Sequence, residues 1–368
     1  KISFINNIVK SKFDIIILSP GINKNKCKLK NFLKKNSKII YTDLDVFKSF
    51  YDNDCITITG TNGKSTTCQL IYEVLKKQGH DVKLAGNIGY PILSIKKIRP
   101  KSIFIIEASS YQLEYSKIFN SKYSAILNIK PDHLERHTTL RKYIKAKFKL
   151  IKNQKSNSIA FVNKHDVNIN KFLKKNFFRR KIIRVNTKLN NRYFLNFKNN
   201  YFLSISNREN LFFVLEIIKR FKINKKLLIK TISNFKGLKY RQQTIYKKKN
   251  LEIINDSKST SYSSSLEMLK ISNNIYWLLG GMPKKGDKFN LPKIYYKNIK
   301  GYIFGKNSKK FLSDLKNKIK LKRFPNLKKA LNEVCRDIKI DRSNMKTIFF
   351  SPAAASFDSF KNFEDRGF

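Results

Sequence analysis

The sequence predicts an α/β protein with parallel sheets, and three observations support this fold class. Short apolar runs typical of buried strands alternate along the chain with segments of helical periodicity, and this alternation favours parallel sheets. One strand, loop and helix in succession has the glycine-rich pattern of a phosphate-binding loop. Polar residues follow directly after several predicted strands, at the sheet edge where ligands gather in such folds.

Residues 1–50 have the pattern of the end of an α/β unit. The run from Phe13 to Leu18 predicts a buried strand, which Ser19-Pro20-Gly21 turns. A second strand is predicted over Ser37 to Tyr41, after a lysine-rich helix. Because this is too short for a complete nucleotide-binding domain, we interpret it as a remnant and expect that earlier residues are absent.

The central region, residues 51–237, begins with the phosphate-binding loop. The loop runs from Gly60 to Thr66, between an apolar strand and a helix that is predicted to stop near Gly79. Its glycines allow backbone N–H groups to turn toward an anion, and the helix N-terminus adds positive potential. Lys64 is predicted to reach the outer phosphates and Ser65 to ligate magnesium. The loop departs from the common form because Ile58, not glycine, stands six residues before Lys64, and a chance glycine turn is the alternative.

Further predicted strands of this region end at chemically useful side chains. The strand over 103–106 ends in Glu107, and the strand over 124–128 leads to His133. Since Lys64, Glu107 and His133 all follow strand ends, we expect one site to contain all three. A carboxylate suits magnesium, whereas a histidine ligand suits manganese or zinc better.

The remaining segments of the central region are predicted from weaker patterns. Residues 84–91 predict a glycine-punctuated loop, residues 165–205 predict small strands and loops, and residues 210–221 predict a helix. A structural or surface role is the ordinary expectation for a lone histidine. We keep that expectation for the three other histidines, which are His80, His137 and His165.

The helix predicted after Thr138 carries a lysine within its apolar stripe. Leu140, Ile144 and Ile151 share one face, and steps of four, three and four residues put Lys147 on that face. A buried ammonium is costly unless it is paired or neutralised. From the sequence alone, extension of this side chain to solvent is favoured over a chemically altered lysine.

Residues 238–368 predict a second α/β unit. Its strands are expected over 251–254, 275–279, 301–304 and 347–351. Two loops follow strand ends: the polar stretch from Asn255 to Thr260, and the stretch from Ser351 to Asp358, which is rich in small residues. Both are candidates for ligand or domain contacts, with an ordinary turn and a helix cap as the respective alternatives.

The composition sets limits on the function classes. Seventy-eight Lys and Arg against 25 Asp and Glu give a net charge of +53. Taken alone, this charge points to nucleic acid. The lysines are spread through every segment together with Asn, Ile, Phe and Tyr, so A/T-rich codon usage is the favoured explanation. Four scattered cysteines and the absence of a long apolar run predict a cytoplasmic protein without a membrane span.

Taken in order, the motifs resemble those of the Mur ligases of peptidoglycan synthesis. The motifs that carry the resemblance are G-T-N-G-K-S-T, G-N-I-G, E-A-S-S-Y-Q-L-E, P-D-H-L-x-R-H, Y-x-x-x-K, N-D-S-K-x-T and L-L-G-G. The ending S-P-A-A-A-S-F-D-x-F-x-x-F-x-x-R-G resembles the members that add D-glutamate. The match runs from about Phe13 to Phe368, and seven motifs in register are far more specific than any one of them.

The resemblance implies a three-domain architecture and a reaction. The domains would be the remnant of a UDP-binding unit over 1–50, an ATP-binding domain over 51–237 and a Rossmann-like domain over 238–368. ATP would phosphorylate the carboxylate of a UDP-N-acetylmuramoyl-L-alanine substrate, and the D-glutamate amine would attack the acyl phosphate. The implied enzyme is a monomer with small-molecule substrates and no specific nucleic-acid partner.

The resemblance also implies the catalytic and metal-binding residues. Lys64 would stabilise the transferring phosphoryl group, and there would be two magnesium sites, with manganese also possible. Ser65 and Glu107 would hold one ion and His133 the second. Lys147 would be a carbamylated lysine that supports the second ion, which reverses the expectation drawn from its position alone.

The substrate contacts are implied in three groups. ATP would contact Gly60, Thr61, Asn62, Gly63, Lys64, Ser65, Thr66, Asn210, Arg241 and Asp256. The muramoyl substrate would contact Asn87, Ser109 and Gln112. The D-glutamate end of the site would be formed by Lys258, Thr260, Lys284, Ser356, Phe357 and Phe363.

Two departures from the family pattern and three rivals accompany this interpretation. The family usually has His and Glu where this chain has Tyr240 and Gln243, which weakens the assignment of hinge contacts. The nearest rivals are another Mur ligase and a folylpolyglutamate synthase; the D-N-P-R motif of the diamino-acid ligases does not occur. A basic nucleic-acid-binding NTPase is the rival from another class, and it would need lysines clustered on one face.

Overall fold

The computed structural model describes residues 7–188, 197, 199–284 and 286–368. The chain divides into two compact units between Phe235 and Lys236, two residues before the predicted boundary after residue 237. Residues before 51 belong to the first of these units. Their assignment to a separate N-terminal domain therefore stays a prediction.

The N-terminal segment contributes a two-stranded parallel sheet. Strand β1 (Ile16–Ile17) pairs with β2 (Ile40–Tyr41), and the helices α1 (Lys30–Lys35) and α2 (Asp43–Phe50) lie in the same segment. The predicted buried strand over 13–18 is wrong in length and burial, because two residues pair and the side chains of Ile15 and Ile17 are 60% and 50% exposed. Residues 37–39, predicted as strand, form a 3-10 turn.

The first unit is built on a six-stranded sheet in which all neighbours are parallel, in the order β4-β5-β3-β6-β7-β8. Its strands are β3 (Cys55–Thr59), β4 (Val82–Gly86), β5 (Ile103–Glu107), β6 (Tyr123–Ile126), β7 (Ile159–Asn163) and β8 (Lys181–Val185). Its helices are α3 (Lys64–Lys77), α4 (Ser110–Tyr115), α5 (Leu134–His137), α6 (Leu140–Lys152), α7 (Val167–Lys174), α8 (Ile205–Ile218) and α9 (Lys225–Ser233). The predicted parallel α/β fold is confirmed.

Strand β3 is central because both of its faces are covered. All five of its residues are buried, as expected for a continuous apolar run in a parallel sheet. On one face Ile56 and Ile58 join a core with α3 and α8, and on the other Cys55 packs with α2 and the residues around Ile92. Burial of this strand fixes the position at which the phosphate-binding loop leaves the sheet.

Two predicted segments of this unit differ from the structure. Residues 84–86, predicted as loop, complete strand β4, since Gly86 with a φ of +96° still pairs with Glu107 on β5. The region 165–205 contains helix α7, which its short apolar runs did not reveal. The part of that prediction on residues 189–196 and 198 lies outside the described residues.

A buried carboxylate joins the N-terminal segment to the central sheet. Asp45 of α2, 1% exposed, accepts hydrogen bonds of 2.8–3.1 Å from the Ser116 hydroxyl and from three successive backbone N–H groups. These N–H groups belong to residues 117–119, just after α4. Paired in this way, the buried charge is satisfied, and α2 is held against the same unit that contains the phosphate-binding loop.

The second unit holds a mixed six-stranded sheet in the order β13-β12-β11-β14-β10-β9. Its strands are β9 (Gln243–Lys248), β10 (Leu251–Asn255), β11 (Ile275–Gly280), β12 (Ile299–Phe304), β13 (Lys320–Phe324) and β14 (Lys346–Phe350). Its helices are α10 (Tyr262–Ile271), α11 (Ser308–Leu315), α12 (Leu327–Ile340) and α13 (Phe363–Gly367). Pairing is parallel except between β9 and β10.

The four inner strands of this sheet were predicted and the two edge strands were not. Strands β9 and β13 are lysine-rich and mostly exposed, as is common at sheet edges, so their apolar signal is weak.

Across both units, every helix among the described residues falls short of the length and apolar character of a membrane span.

Candidate functional site

The phosphate-binding loop is clamped to the end of the neighbouring strand β6 by one asparagine. The carbonyl of Asn128 accepts the Thr61 N–H at 3.0 Å, and its side chain accepts the Asn62 N–H at 2.9 Å and donates to the Asn62 carbonyl at 3.1 Å. Lys64 Nζ lies over the same loop, 3.0 Å from the Gly60 carbonyl oxygen and 2.8 Å from that of Thr61. These contacts fix the backbone of the loop at the N-terminus of α3 and hold the Lys64 ammonium against it.

The end of strand β5 meets the first turn of α3. The Ser65 hydroxyl donates to Glu107 Oε2 at 2.6 Å, and both side chains are buried. In sequence these residues are far apart, and the register of β3 beside β5 brings them together, since Ile58 pairs with Glu107. A hydroxyl and a carboxylate at a helix N-terminus are oxygen ligands of the kind that magnesium prefers beside a phosphate.

Asn210 of helix α8 lies against the turn of the loop. Gly63, with a φ of +85°, has no room for a side chain, because a Cβ there would lie 2.1 Å from Asn210 Oδ1. Asn210 is itself buried. The structure thus places Asn210, which sequence reasoning assigned to ATP only through the resemblance, beside the loop.

We expect Gly63→Ala to weaken ATP binding at least about tenfold and to lower the melting temperature. The left-handed backbone costs alanine about 1–2 kcal/mol, and the new Cβ displaces Asn210. Gly79→Ala is the matched control, with a φ of +88° and no atom within 4 Å of the new Cβ. Calorimetric titration with ATP compares the two variants, and equal affinities would contradict the role assigned to this contact.

Lys147 of helix α6 is buried rather than extended to solvent. Its Nζ lies 2.8 Å from the Gly60 carbonyl oxygen, 3.4 Å from Thr59 Oγ1 and 4.7 Å from the centroid of the Tyr143 ring. Burial first, and then the Lys64 ammonium, hold the pKa of this amine well below its usual range. Extension to solvent, the expectation from its position alone, is therefore wrong, because the stripe that carries Lys147 faces the phosphate-binding loop.

His133 lies at the start of α5 in a strained backbone conformation, with a φ of +53°. Its Nδ1 is 2.9 Å from the Tyr111 hydroxyl, and its ring centroid is 6.4 Å from that of Tyr143. The Tyr143 hydroxyl in turn lies 3.1 Å from Thr61 Oγ1. One tyrosine ring therefore links His133 to the phosphate-binding loop, and strain at a non-glycine residue is often found at functional sites.

His137, for which we predicted a structural or surface role, lies beside these residues. It is buried, its Nε2 is 3.0 Å from Ser110 Oγ, and its ring is 5.7 Å from that of Tyr111 and 5.4 Å from that of Tyr143. Burial lowers the pKa of its imidazole. The four-residue separation from His133 in the sequence was an available signal, and the prediction did not use it.

The residues predicted for a metal fit it in part. Ser65 and Glu107 present two close oxygen atoms of the preferred type. Among the residues that the structure describes, no group of three or more His, Cys, Asp and Glu side chains is placed to hold an ion. A metal here would therefore need ligands from its substrate phosphates as well.

The residues predicted for the muramoyl substrate lie around the ends of β4 and β5. Ser109 and Gln112 form a capping box at the start of α4, and Gln112 Nε2 also donates to Asp43 Oδ2 at 3.0 Å. The backbone N–H of Asn87 donates to the Glu107 carbonyl at 3.0 Å. Ser109 and Gln112 thus follow Glu107 closely in the sequence, and Asn87 contacts its backbone across the sheet. The role of these three residues in substrate binding stays a prediction.

Of the site residues predicted in the second unit, Asp256 has the pKa that is shifted most by its surroundings. It follows β10, is 5% exposed, and accepts hydrogen bonds from the Gln242 N–H at 3.1 Å and the Ser351 hydroxyl at 2.9 Å. Burial raises the pKa of its carboxyl to about 7, against the lowering effect of these hydrogen bonds and of Arg241 and Arg366. This carboxyl therefore changes its charge near neutral pH.

The pH dependence of unfolding should report this carboxyl. The pKa of Asp256 is higher in the folded protein than the ordinary aspartate value of 3.8, so the folded state binds the proton more tightly. Its stabilising contribution is complete below about pH 4 and is lost as the pH rises to about 7, by about 4 kcal/mol. Denaturant unfolding followed by the fluorescence of Trp277, the one tryptophan of the chain, measures this loss. Asp256→Asn should flatten the profile in this range, and an unchanged slope would contradict the assignment.

The other residues predicted for the second unit are distributed over four loops and the start of α13. Lys258 Nζ lies 3.5 Å from the centroid of the Phe363 ring, Ser356 is buried, and Phe357 is 70% exposed. Thr260 and Lys284 lie in the loops after β10 and β11. The backbone N–H of Arg241 donates to the Leu238 carbonyl, just before β9.

Arg366 is a residue of this unit that sequence reasoning missed. Its guanidinium is buried and donates to the Ser257 carbonyl at 2.7 Å and the Ala354 carbonyl at 2.9 Å. It thereby ties together the loops after β10 and β14, which both carry predicted site residues. The arginine of the R-G ending was the available signal.

The sequence of this chain is similar to those of known proteins. The family model of the Mur ligase middle domain matches residues 58–236. A UDP-N-acetylmuramoylalanine–D-glutamate ligase of Rickettsia felis is 34% identical over 373 aligned residues, which cover 96% of this chain and 82% of the relative. The enzyme of the same name from Buchnera aphidicola subsp. Schizaphis graminum is also 34% identical, over 96% of this chain and 82% of its own length.

Solved structures with the same fold are more distant in sequence. MurF of Acinetobacter baumannii has a TM-score of 0.64 at 16% identity, over 85% of this chain and 76% of its own. MurF of Thermotoga maritima in complex with ADP has a TM-score of 0.63 at 14% identity, over 96% and 88%. At these identities the likeness concerns the fold alone.

Proposed function

This chain belongs to the Mur ligase family, and we propose that it joins D-glutamate to UDP-N-acetylmuramoyl-L-alanine at the expense of ATP, in peptidoglycan synthesis. It would be an acid–D-amino-acid ligase that forms a carbon–nitrogen bond and acts as a monomer in the cytoplasm. The observation that carries the proposal is the contact of Ser65 with Glu107 beside Lys64, at the loop clamped by Asn128.

Phosphoryl transfer follows from the chemistry of this loop. Backbone N–H groups at the start of α3 and the Lys64 ammonium are fixed donors for the phosphates of ATP. Negative charge that spreads over the transferring phosphoryl group is stabilised without reorganisation of these groups. The carboxylate of the muramoyl substrate takes the phosphoryl group, ADP leaves, and an acyl phosphate forms. The D-glutamate amine then attacks its carbonyl carbon, and the C–O bond to phosphate breaks as the amide C–N bond forms.

Magnesium fits the phosphate side of this site. Ser65 and Glu107 would hold one ion, and His133 with Lys147 would hold or support a second. When bound, the metal neutralises charge on the phosphates and helps to orient them. The protein's own part is to keep Glu107 buried beside the loop and to hold the His133 ring through the Tyr111 hydroxyl.

Lys147 has the surroundings needed for carbamylation. An amine forms a carbamate only in its neutral form, and burial lowers the pKa of Lys147 and so favours that form. Reaction of the amine with carbon dioxide forms an N–C bond and releases one proton. The resulting anion would replace a buried amine beside Lys64 with a group of opposite charge, and we infer that this is the working state of Lys147.

The test is ATP turnover in the presence of single and combined substrates. We expect ADP formation only when both UDP-N-acetylmuramoyl-L-alanine and D-glutamate are present. Turnover with neither substrate, or equal turnover with L-glutamate, would contradict the proposal. Preference for a diamino acid or a folate would instead identify one of the related ligases.

A nucleic-acid-binding NTPase would behave differently. The logarithm of its association constant for DNA or RNA would fall linearly and steeply with the logarithm of the salt concentration. Nucleic acid would also stimulate its ATP turnover. A filter-binding titration against salt, together with ATP turnover in the presence of nucleic acid, separates this alternative from the ligase.

A further inference from the structure

A row of hydrogen-bonded serine hydroxyls runs from the buried Asp256 to the surface of the second unit. We call these residues the serine chain, and from the inside outward they are Ser351, Ser265, Ser259, Ser264, Ser261 and Ser263. The distances between successive oxygen atoms are 2.6, 3.0, 2.9, 3.1 and 2.9 Å. The inner end lies 2.9 Å from Asp256 Oδ2.

When Asp256 is ionised, the direction of the innermost hydrogen bond is fixed, because a carboxylate can only accept. Ser351 donates to the Asp256 carboxylate, so its own oxygen is free to accept from Ser265. Every serine hydroxyl is both a donor and an acceptor, and the same direction can therefore continue along the row. The Ser261 carbonyl competes with this row, because it lies 2.7 Å from the Ser264 hydroxyl and 3.4 Å from the Ser259 hydroxyl. A proton passes along the row when these two hydroxyls turn from the carbonyl to their serine neighbours.

Burial separates the two ends of the serine chain. Ser351 and Ser265 are fully buried and Ser259 is 3% exposed, whereas Ser263 is exposed. Water cannot replace a hydroxyl at the inner positions as it can at the outer end. The buried carboxyl is thus joined to solvent by side chains that can pass a proton from oxygen to oxygen.

We propose that the serine chain is a proton relay between the Asp256 carboxyl and solvent. A relay is useful only where its inner group titrates, and burial raises the pKa of Asp256 to about 7, with Arg241 and Arg366 as the charged groups that oppose this shift. The Gln242 N–H occupies the other carboxylate oxygen. The serine side is therefore the hydrogen-bonded route that leads from this carboxyl to the surface.

The use of the relay in the reaction rests on the proposed function. The ammonium group of D-glutamate loses two protons when it becomes an amide nitrogen. One of them is taken up by the released phosphate as its monohydrogen form, and the other is released to solvent. On that proposal the second proton leaves through Asp256, which lies in the same loop after β10 as Lys258 and Thr260, two residues predicted for the D-glutamate end of the site.

Infrared spectroscopy on the full chain tests the relay without any substrate. The carbonyl stretch of protonated Asp256 at pH 5.5 is identified as the band that Asp256→Asn removes, and its shift is timed after rapid mixing into D₂O. We expect Ser265→Ala and Ser259→Ala each to slow this exchange at least tenfold. Ser263→Ala is the matched control and should exchange as fast as wild type, because water replaces the exposed hydroxyl.

Three results would overturn the relay or its use. Wild-type exchange as slow as that of the most protected backbone amides would overturn the relay without any variant. The relay would also be overturned if Ser265→Ala or Ser259→Ala exchanged as fast as wild type. Trp277 fluorescence shows which of these variants is folded. An unchanged kcat in inner variants with slowed exchange would overturn its use in the reaction, for which we expect a loss of about tenfold in kcat at unchanged KM. Failure of the ligase assay itself would leave the infrared result standing, so the two failures are distinguishable.

Discussion

Lys64→Met is expected to lower kcat/KM for ATP about 10³-fold, the scale on which a preorganised charge contributes to a transition state. The Lys64 ammonium is held over the loop by the Gly60 and Thr61 carbonyls, so it is in place before the phosphoryl group moves. Methionine matches the lysine side chain as far as Cε and removes its ammonium group. Steady-state assays with both substrates saturating measure the effect.

Lys77→Met is the control for Lys64→Met. Lys77 is exposed at the far end of the same helix α3, and its replacement removes the same charge from the protein. We expect wild-type activity from this variant. Retention of more than about a tenth of the activity by Lys64→Met would contradict the role of Lys64 at the loop.

Lys147→Ala should reduce activity about 100-fold, the upper end of the loss that follows removal of a group supporting a metal site. Short carboxylic acids are expected to restore part of the activity, because a carboxylate that enters the vacated space replaces the carbamate. The variant's activity is titrated with acetate and formate at constant ionic strength. Lys145→Ala, on the exposed face of the same helix α6, should be fully active and unaffected by these acids.

A spectroscopic readout separates the carbamate from a packing role of Lys147. Protein equilibrated with ¹³C-labelled carbon dioxide should show a carbamate carbon signal that is absent from Lys147→Ala and present in Lys145→Ala. Full activity of Lys147→Ala, or the absence of the signal from wild type, would contradict carbamylation.

The sequence predicted those parts of the fold whose physics is local. The strand before the phosphate-binding loop is a continuous apolar run, and α3 ends at Lys77 with Gly79 in the left-handed region, as its stop signal predicted. The strands that end at Glu107 and near Asn128 were predicted because they too are continuous apolar runs. Once the sheet is parallel, its register brings Glu107 to the loop.

The features that the sequence did not reveal depend on long-range packing. Lys147 is buried because its stripe faces the phosphate-binding loop rather than solvent, and a helical periodicity does not say what a stripe faces. The strand β13 is hidden by its lysines, since an edge strand needs few apolar residues. The serine chain joins residues from two separate loops and a helix, which only the folded sheet places together.

The most direct test of the account follows oxygen atoms through the reaction. UDP-N-acetylmuramoyl-L-alanine labelled with ¹⁸O in both oxygens of its terminal carboxylate is converted with ATP and D-glutamate, and the phosphate is analysed by mass spectrometry. Transfer of the phosphoryl group to the carboxylate predicts one ¹⁸O atom in each phosphate, with the other label retained in the amide carbonyl. Phosphate without ¹⁸O would contradict the account, because the carboxylate would then not have been phosphorylated at the loop that holds Lys64.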